Sequence, residues 1–187
     1  MRKIMIIILV LIIVLSVIYF IVKYKKTKNE EIIEYSPEQE ISEMQLAQTM
    51  VTLYYKNKTN DMLVPEPRLI DSKLLIISPY EELIKLLIQG PKSEELMGCI
   101  PEGTKINNIK IVGNIVIIDF SQEFIENHEG GVEGETKTVY SIVNTLTELK
   151  EVNGVKIIIN GEENREFNDG LVNFKTVFER IWNKKLS

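Results

Sequence analysis

Length, composition and charge exclude several classes of protein for this chain. It has 187 residues and a formal net charge of −5, and its single cysteine, Cys99, rules out an intramolecular disulfide. The first 28 residues hold six of the 22 basic residues and no acid, so the remainder carries 16 basic against 27 acidic residues, a formal charge of −11. A segment this acidic repels nucleic acid, and it contains no RNA-binding or DNA-binding motif.

The amino terminus, residues 1–23, predicts a membrane anchor. Residues 4–22 are 19 uncharged positions, which as a helix span about 28 Å and match the hydrocarbon core of a bilayer. No small-residue cleavage pattern follows them, which favours an uncleaved anchor over a signal peptide. Because Cys99 lies far downstream, we expect no lipid anchor.

The residues after the apolar run are polar. Four lysines follow the run within residues 23–28 and two basic residues precede it, so the positive-inside tendency alone would leave the rest of the chain in the cytoplasm. Residues 24–47 are rich in glutamate and poor in apolar residues, which is typical of a linker between a membrane and a domain.

Two strands are the first predicted elements of the domain. Met50–Tyr55 alternates, with three apolar side chains on one face. Pro67–Ile70 is extended, and its proline and the nearby Pro65 favour an edge strand. Arg68 in this strand is either an anion or partner contact or, as is commoner, the partner of a nearby acid.

A helix and a hairpin come next. Ser78, Pro79 and Glu81 together predict a capping box at the start of a helix, which Gly90 and Pro91 end. Residues 109–118 are rich in Val and Ile and alternate around Gly113-Asn114, so we predict two paired strands. The second of them, residues 115–120, is apolar on both faces and is therefore predicted to be central in a sheet.

The segment after the hairpin, residues 121–135, is interpreted as a flexible exposed connection. It contains His128 and three glycines, but it lacks the ligand spacing of a calcium loop, and a lone histidine is not a zinc site. A catalytic triad of Asp119, Ser121 and His128 lacks a nucleophile elbow and is not supported. We instead expect Asp119 and Ser121 to bond to backbone while Phe120 packs inside.

The remaining predictions concern the carboxy-terminal third. Apolar residues at helical spacing predict a helix over about residues 136–151, ended by Asn153-Gly154, and residues 155–159 a final strand. Residues 162–187 form a tail with a predicted closing helix that either packs on the domain or docks another protein. Its apolar positions are Leu171, Phe174, Val177, Phe178, Ile181 and Trp182.

Five blocks in this order resemble the signature of the GerMN domain, which is found in sporulation and spore germination proteins. The blocks are Leu63-Val64-Pro65-Glu66 with Arg68, Leu87-Ile88-Gln89-Gly90-Pro91, Ile100-Pro101-Glu102-Gly103-Thr104-Lys105, Ile118-Asp119-Phe120-Ser121 with Phe124, and residues 141–149 followed by 155–159 and Gly161. The family-motif residues, structural or interacting, are Pro65, Arg68, Gly90, Pro91, Pro101, Gly103, Asp119, Phe120, Ser121, Asn144, Thr145, Leu146 and Gly161. The resemblance places the domain at residues 48–161.

The order of elements and the resemblance imply the same α/β (α+β) fold. It is a two-layer sandwich of one small mixed sheet with two helices, similar to ring-building domains. The resemblance further implies an extracytoplasmic, membrane-anchored module for protein interaction or scaffolding in sporulation or germination, which contacts envelope proteins or itself. No enzyme activity, cofactor or metal is expected. Two alternatives stay open: a peptidoglycan-binding module using Tyr54, Tyr55 and Tyr80, and an envelope enzyme.

Overall fold

The computed structural model describes residues 14–21, 23, 47–168 and 170–180. The chain divides into two compact units, Met1–Ile41 and Ser42–Ser187. In the first unit, residues 14–21 and 23 are helical. Among the described residues, no helix combines the length and apolarity that a membrane crossing requires. Most of the predicted anchor and linker lies outside the described residues, so the anchor stays a prediction.

The second unit contains seven strands and four helices within its described residues. In chain order they are β1 (Gln48–Asn57), β2 (Leu63–Asp71), α1 (Ser72–Ile77), α2 (Pro79–Gln89), β3 (Leu96–Met97), β4 (Ile106–Val112), β5 (Ile115–Phe120), α3 (Glu123–Glu126), α4 (Val132–Leu146), β6 (Gly154–Ile159) and β7 (Phe178–Glu179).

The strands form two sheets, so the predicted single mixed sheet is wrong. One sheet has the order β2-β1-β3 and is antiparallel. The other has the order β4-β5-β6-β7, and it is mixed because β5 and β6 are parallel. β3 pairs with β1 only at Lys56 and Asn57. Farther along the same edge, a helix rather than a strand bonds to β1.

The predicted strands of the first half are confirmed. β1 buries Val51, Leu53 and Tyr55 on one face, and β2 lies at the edge of its sheet. β4 and β5 form the predicted hairpin, in which Gly113 has φ 60. Glycine at the first central position with a positive φ is typical of a type II′ turn, whose twist matches that of paired strands. β5 is an interior strand, as its apolar sequence predicted.

Helix α2 begins at Pro79 and is ended by Gly90 as predicted, but the capping box is wrong. The Ser78 side chain makes no capping hydrogen bond, because Ser78 also ends the preceding helix α1 and its N–H donates to the Leu74 carbonyl at 2.9 Å. Gly90 has φ 88, a conformation that glycine adopts without steric cost. The sequence interpretation did not predict α1.

Helices occupy both ends of residues 121–135, the segment that was predicted to be an exposed connection throughout, and residues 127–131 between them are not helical. α3 buries Phe124 and Ile125, and Val132–Gly134 is the first turn of α4, which begins after Gly131. α4 therefore starts four residues earlier than predicted, and it ends at Leu146 instead of near residue 151. The prediction failed because glycine was interpreted as a loop signal, whereas Gly131 is the residue before the helix.

The tail contains no helix within its described residues. Residues 170–180 run irregularly to β7, whose pairing with β6 means that β6 is not the final strand. Phe167 and Phe174 are buried against Phe124, with ring centroids 5.6 and 6.1 Å away. The described part of the tail therefore packs on the domain. Ile181 and Trp182 lie outside the described residues.

Candidate functional site

A stripe of hydroxyl groups on α4 replaces a strand at the free edge of β1. The Ser141 hydroxyl donates to the Tyr54 carbonyl at 2.6 Å, and the Tyr54 N–H donates to the Thr145 hydroxyl at 3.0 Å. One turn earlier, Thr138 donates to the Cys99 carbonyl at 2.7 Å. Because these hydroxyls satisfy the backbone of β1, no strand of the other sheet pairs at this point.

The family-motif residues of α4 are therefore mostly internal. Thr145 is fully buried in the stripe, and Leu146 belongs to the core. Asn144 is partly buried, and its Oδ1 has no hydrogen-bond partner among the described residues. Their spacing on one helix was visible in the sequence, but the backbone groups they bond to were not.

Arg68 pairs with an acid, which was the commoner of the two roles predicted for it. Its guanidinium contacts Glu66 in a buried ion pair and reaches the Gly90 carbonyl at 3.3 Å. Glu66 accepts two further hydrogen bonds, from the N–H groups of Lys92 and Ser93, each at 3.0 Å. The pair thus fixes the turn that ends α2.

Opposing effects act on the pKa of Glu66. Burial raises this pKa, but hydrogen bonds from Arg68, Ser93 and Lys92 outweigh burial and hold it below its ordinary value. The carboxylate is therefore ionised at neutral pH. The two prolines of these blocks flank the pair: Pro65 is exposed on β2, and Pro91 is partly buried in the turn.

The Asp-Phe-Ser motif closes strand β5, which confirms the expected backbone bonding. Asp119 accepts from the Gly161 N–H at 3.0 Å, and Ser121 accepts from the Lys105 N–H at 2.9 Å. Phe120 between them is fully buried and stacks on Phe124, with centroids 4.5 Å apart. The motif therefore anchors two neighbouring turns to one strand end.

A side-chain to backbone hydrogen bond also stabilises the Pro101–Thr104 turn. Thr104 donates to the Pro101 carbonyl at 2.7 Å. Gly103 has φ 81, and a Cβ placed there would lie 3.3 Å from the Asn127 side chain. The positive φ and the close Cβ contact give Gly103 a structural reason to be present, and Pro101 is buried in the same turn.

The tyrosines proposed for glycan binding do not share a surface. Tyr55 is fully buried, and its hydroxyl donates to the Leu86 carbonyl at 2.8 Å. Burial raises the pKa of Tyr55 to about 12. Tyr54 is bonded to Glu148 at 2.8 Å, and Tyr80 is partly buried. The predicted aromatic cluster is therefore not formed.

A cavity of about 310 Å³ lies beside Cys99 and His128. The Gly130 N–H donates to His128 Nδ1 at 2.9 Å, so Nε2 carries the proton that is shared with Thr138 at 2.9 Å. Burial raises the pKa of the Cys99 thiol, which keeps it protonated at neutral pH and weakens it as a nucleophile.

The two lysines that line this cavity are paired with carboxylates. Lys137 pairs with Asp61 and, at 2.7 Å, with Glu133, while Lys56 pairs with Asp61 at 3.2 Å. Burial and the nearby Lys56 lower the pKa of Lys137. In the part of the chain that the structure describes, no group of three His, Cys, Asp or Glu side chains could hold a metal ion.

The triad considered from the sequence is not assembled. Asp119 and Ser121 bond to the turns beside β5, whereas His128 bonds to Gly130 and Thr138 at the cavity. The motif residues as a whole fall into four structural groups: the buried Glu66–Arg68 pair with its turn, the Pro101–Thr104 turn, the end of β5, and the inner face of α4. None of these groups forms a catalytic arrangement.

Helix α1 carries the two most exposed large apolar side chains among the described residues of the domain. None of its six residues is buried, and Ile76 and Ile77 are 80% and 77% exposed. The Asp71 carboxylate caps the helix by accepting from the Lys73 N–H at 2.8 Å. Sequence reasoning missed this surface, although the run Leu74–Ile77, four apolar residues that begin three positions after the potential cap Asp71, was a visible signal.

Fold and site together describe an α/β domain whose motif residues hold turns and an inter-sheet helix in place, and which exposes an apolar helix. The Germane family, described as sporulation and spore germination, matches residues 52–165, more than half of the chain. The chain belongs to this family, which confirms the resemblance to the GerMN domain.

Known relatives agree with the assignment. The spore germination protein GerM of Bacillus subtilis is 35% identical over 95 residues, which are 48% of this chain and 25% of GerM. The solved structure of the tandem GerMN domains of GerM gives a TM-score of 0.61 at 26% identity, covering 73% of this chain and 47% of that one. The first GerMN domain alone gives 0.59 at 27% identity, covering 71% and 98%. This chain therefore spans about a quarter of the length of GerM.

Proposed function

We propose that this chain is a membrane-anchored, extracytoplasmic interaction module acting in sporulation or spore germination. Membership of the Germane family supports the process, and the apolar run of residues 4–22 supports an anchor at residues 1–23 followed by a linker at residues 24–47. The partners are envelope proteins or further copies of this chain.

The exposure of α1 is the observation that carries the proposal. Full burial of one isoleucine side chain stabilises a complex or a fold by about 1.5–3 kcal/mol relative to leaving it in water. Ile76 and Ile77 together with Leu74 forgo this gain in the isolated domain. Contiguous exposed apolar residues mark protein interaction sites, so a partner with a matching apolar groove would bind here.

Binding is favoured over catalysis and over glycan recognition by the chemistry of the other surfaces. The thiol beside the cavity is protonated at neutral pH, and the Asp119 and Ser121 side chains are committed to backbone groups. Glycan-binding surfaces use exposed aromatic rings, and Tyr55 is internal. An apolar helix instead suits a protein partner.

A site-specific photo-crosslinking amino acid at Ile76 tests the proposal in sporulating cells. The same amino acid at Val112, which is 57% exposed at the hairpin tip, is the control. We expect a discrete crosslinked product from position 76 and none from position 112. Equal crosslinking from both positions, or from neither, would contradict a docking role for α1. Mass spectrometry of the product would distinguish an envelope protein from a second copy of this chain.

The proposed location has its own test, which is protease accessibility in intact protoplasts. The lysines at residues 23–28 favour the cytoplasm, whereas the proposed role requires the domain to be outside. Digestion from outside is expected. Protection that ends only on lysis would place the domain in the cytoplasm and overturn the proposed location.

A further inference from the structure

The cavity beside Cys99 lies where the outer strand of the first sheet ends. β3 is the last strand in the order β2-β1-β3, so it has a strand neighbour on one side only. The chain leaves β3 through Gly98, Cys99 and Ile100, and these three residues line the cavity. We call them the 98–100 segment. Residues 127–130 and the first two turns of α4 form much of the remaining wall.

The 98–100 segment presents three consecutive backbone N–H groups without acceptors. Among the described residues, no oxygen accepts a hydrogen bond from the N–H of Gly98, Cys99 or Ile100. Gly98 is exposed, and the other two residues are partly buried. Backbone N–H groups are strong donors that proteins normally pair, and the carbonyls of an added peptide segment pair with such groups at the edge of a sheet.

We propose that this cavity binds a short, extended, basic segment of another protein. Glu102 and Glu129 both line the cavity, and both are exposed. Neither carboxylate is in an ion pair with another described residue. The two lysines of the wall already pair with two carboxylates, Asp61 and Glu133. Glu102 and Glu129 therefore leave an excess of two negative charges, which a lysine or arginine of the segment would neutralise.

The same excess of negative charge decides against an anionic ligand. Consecutive N–H groups also cradle phosphate or carboxylate in other proteins, but the two unpaired carboxylates would repel such a ligand here. The cavity volume of about 310 Å³ lies at the lower end of the range of ligand pockets, roughly 300–1,000 Å³, so it admits a few residues rather than a folded surface. The site does not include α1, so it is a second contact beyond the docking helix of the proposed function.

A library of random heptapeptides displayed on phage tests the proposal. The full chain, residues 1–187, is immobilised in one detergent as wild type and as two variants. Glu102→Lys with Glu129→Lys reverses the charge at the cavity, and Glu163→Lys with Glu179→Lys makes the same change in net charge at exposed acids outside its wall. We expect wild type and the control variant to enrich the same Lys-containing or Arg-containing peptides. The cavity variant should bind these peptides at least about tenfold more weakly, because like charges oppose each other there.

The backbone donors have their own matched pair of variants. Gly98→Pro removes one N–H of the 98–100 segment, whereas Gly98→Ala keeps it. Binding of the most enriched peptide should weaken roughly 2–12-fold in the first variant, the loss of about one hydrogen bond, and stay unchanged in the second. A thermal melt of each variant shows whether the domain remains folded. If Gly98→Pro does not fold, the charge-reversal pair decides alone.

Hydrogen exchange locates the contact. The most enriched peptide should slow amide exchange at Gly98 and Ile100. Failure of wild type to enrich basic peptides, or equal binding by the cavity variant and its control, would overturn the proposal. Protection confined to residues 74–77 would also overturn it, although it would support the docking role of α1, so the two proposals fail separately.

Discussion

At the scale of single residues, the motif side chains act mainly on backbone groups. Ser141 and Thr145 satisfy β1, and Asp119 and Ser121 satisfy two turns. A buried N–H or carbonyl that loses its partner costs free energy, so these short polar side chains have few substitutes. This explains why a family signature can include short polar residues for structural reasons alone.

Thr145→Val should lower the free energy of unfolding by about 1–3 kcal/mol, because the valine keeps the shape but leaves the Tyr54 N–H without an acceptor. Urea denaturation measures this change. Thr147→Val is the matched control, since among the described residues the Thr147 hydroxyl donates only to the Val143 and Asn144 carbonyls at the end of α4. We expect the control to change stability by no more than about 0.5 kcal/mol. Equal losses in both variants would contradict the bridging role of Thr145.

Glu66→Gln should destabilise the domain by about 3–5 kcal/mol at neutral pH, because it leaves Arg68 buried without its counter-charge. The folded-state pKa of Glu66 lies below its ordinary value of 4.5, so the carboxylate contributes stability above pH 4.5. That contribution is lost as the pH falls through the lower, folded-state pKa. The difference between wild type and variant should therefore shrink in acid.

Urea denaturation at several pH values measures this dependence. Glu81→Gln is the control, because Glu81 forms an exposed ion pair with Lys85 at 2.8 Å. Exposed pairs contribute at most about 1 kcal/mol. A Glu66→Gln deficit that stayed constant from neutral pH to acid would refute the buried charge pair as its source.

At the scale of elements, Gly154 at the start of β6 determines whether β7 can pair. A Cβ at this position would lie 2.7 Å from Val177 Cγ1 and 2.9 Å from the Phe178 carbonyl oxygen. Gly154→Ala should therefore destabilise the domain by about 1–3 kcal/mol and speed amide exchange in β7. Gly98→Ala, with its nearest neighbouring atom 4.0 Å away, should be neutral or stabilise by up to about 1 kcal/mol. A Gly154→Ala variant as stable as wild type would contradict this prediction, because it would show that β7 can move away from the added methyl group without loss of stability.

The elements also show what local sequence can and cannot predict. Alternation found β1 and the β4–β5 hairpin, because each pattern repeats over several residues, and two prolines indicated the edge strand β2. It missed α1, a six-residue helix with no buried side to create a period. It missed β7, which is two residues long and depends on a distant partner, β6.

The candidate site was also predictable only in part. The prediction that Asp119 and Ser121 bond to backbone followed from their place at a strand end, but it named neither partner, since Gly161 and Lys105 lie 42 and 16 positions away. The hydroxyl stripe was not predicted, because the bond between Tyr54 and Thr145 joins residues 91 positions apart. For the same reason the separation into two sheets could not be predicted: it depends on what lies at the free edge of β1.

At the scale of the whole domain, α4 couples the two sheets. Its buried apolar residues belong to one core with those of β1 and β6, and its hydroxyls bond to β1. The two sheets should therefore unfold together rather than as separate units.

Hydrogen exchange tests this coupling at Leu53 in β1 and at Ile118 in β5. Both amides should give the same free energy of opening, because each is exposed only when the whole domain unfolds. Thr145→Val removes a contact to β1 alone, yet it should lower both values by the same amount, while Thr147→Val lowers neither. If Thr145→Val lowered the value for Leu53 but left Ile118 unchanged, the first sheet would open by itself, and α4 would not couple the sheets.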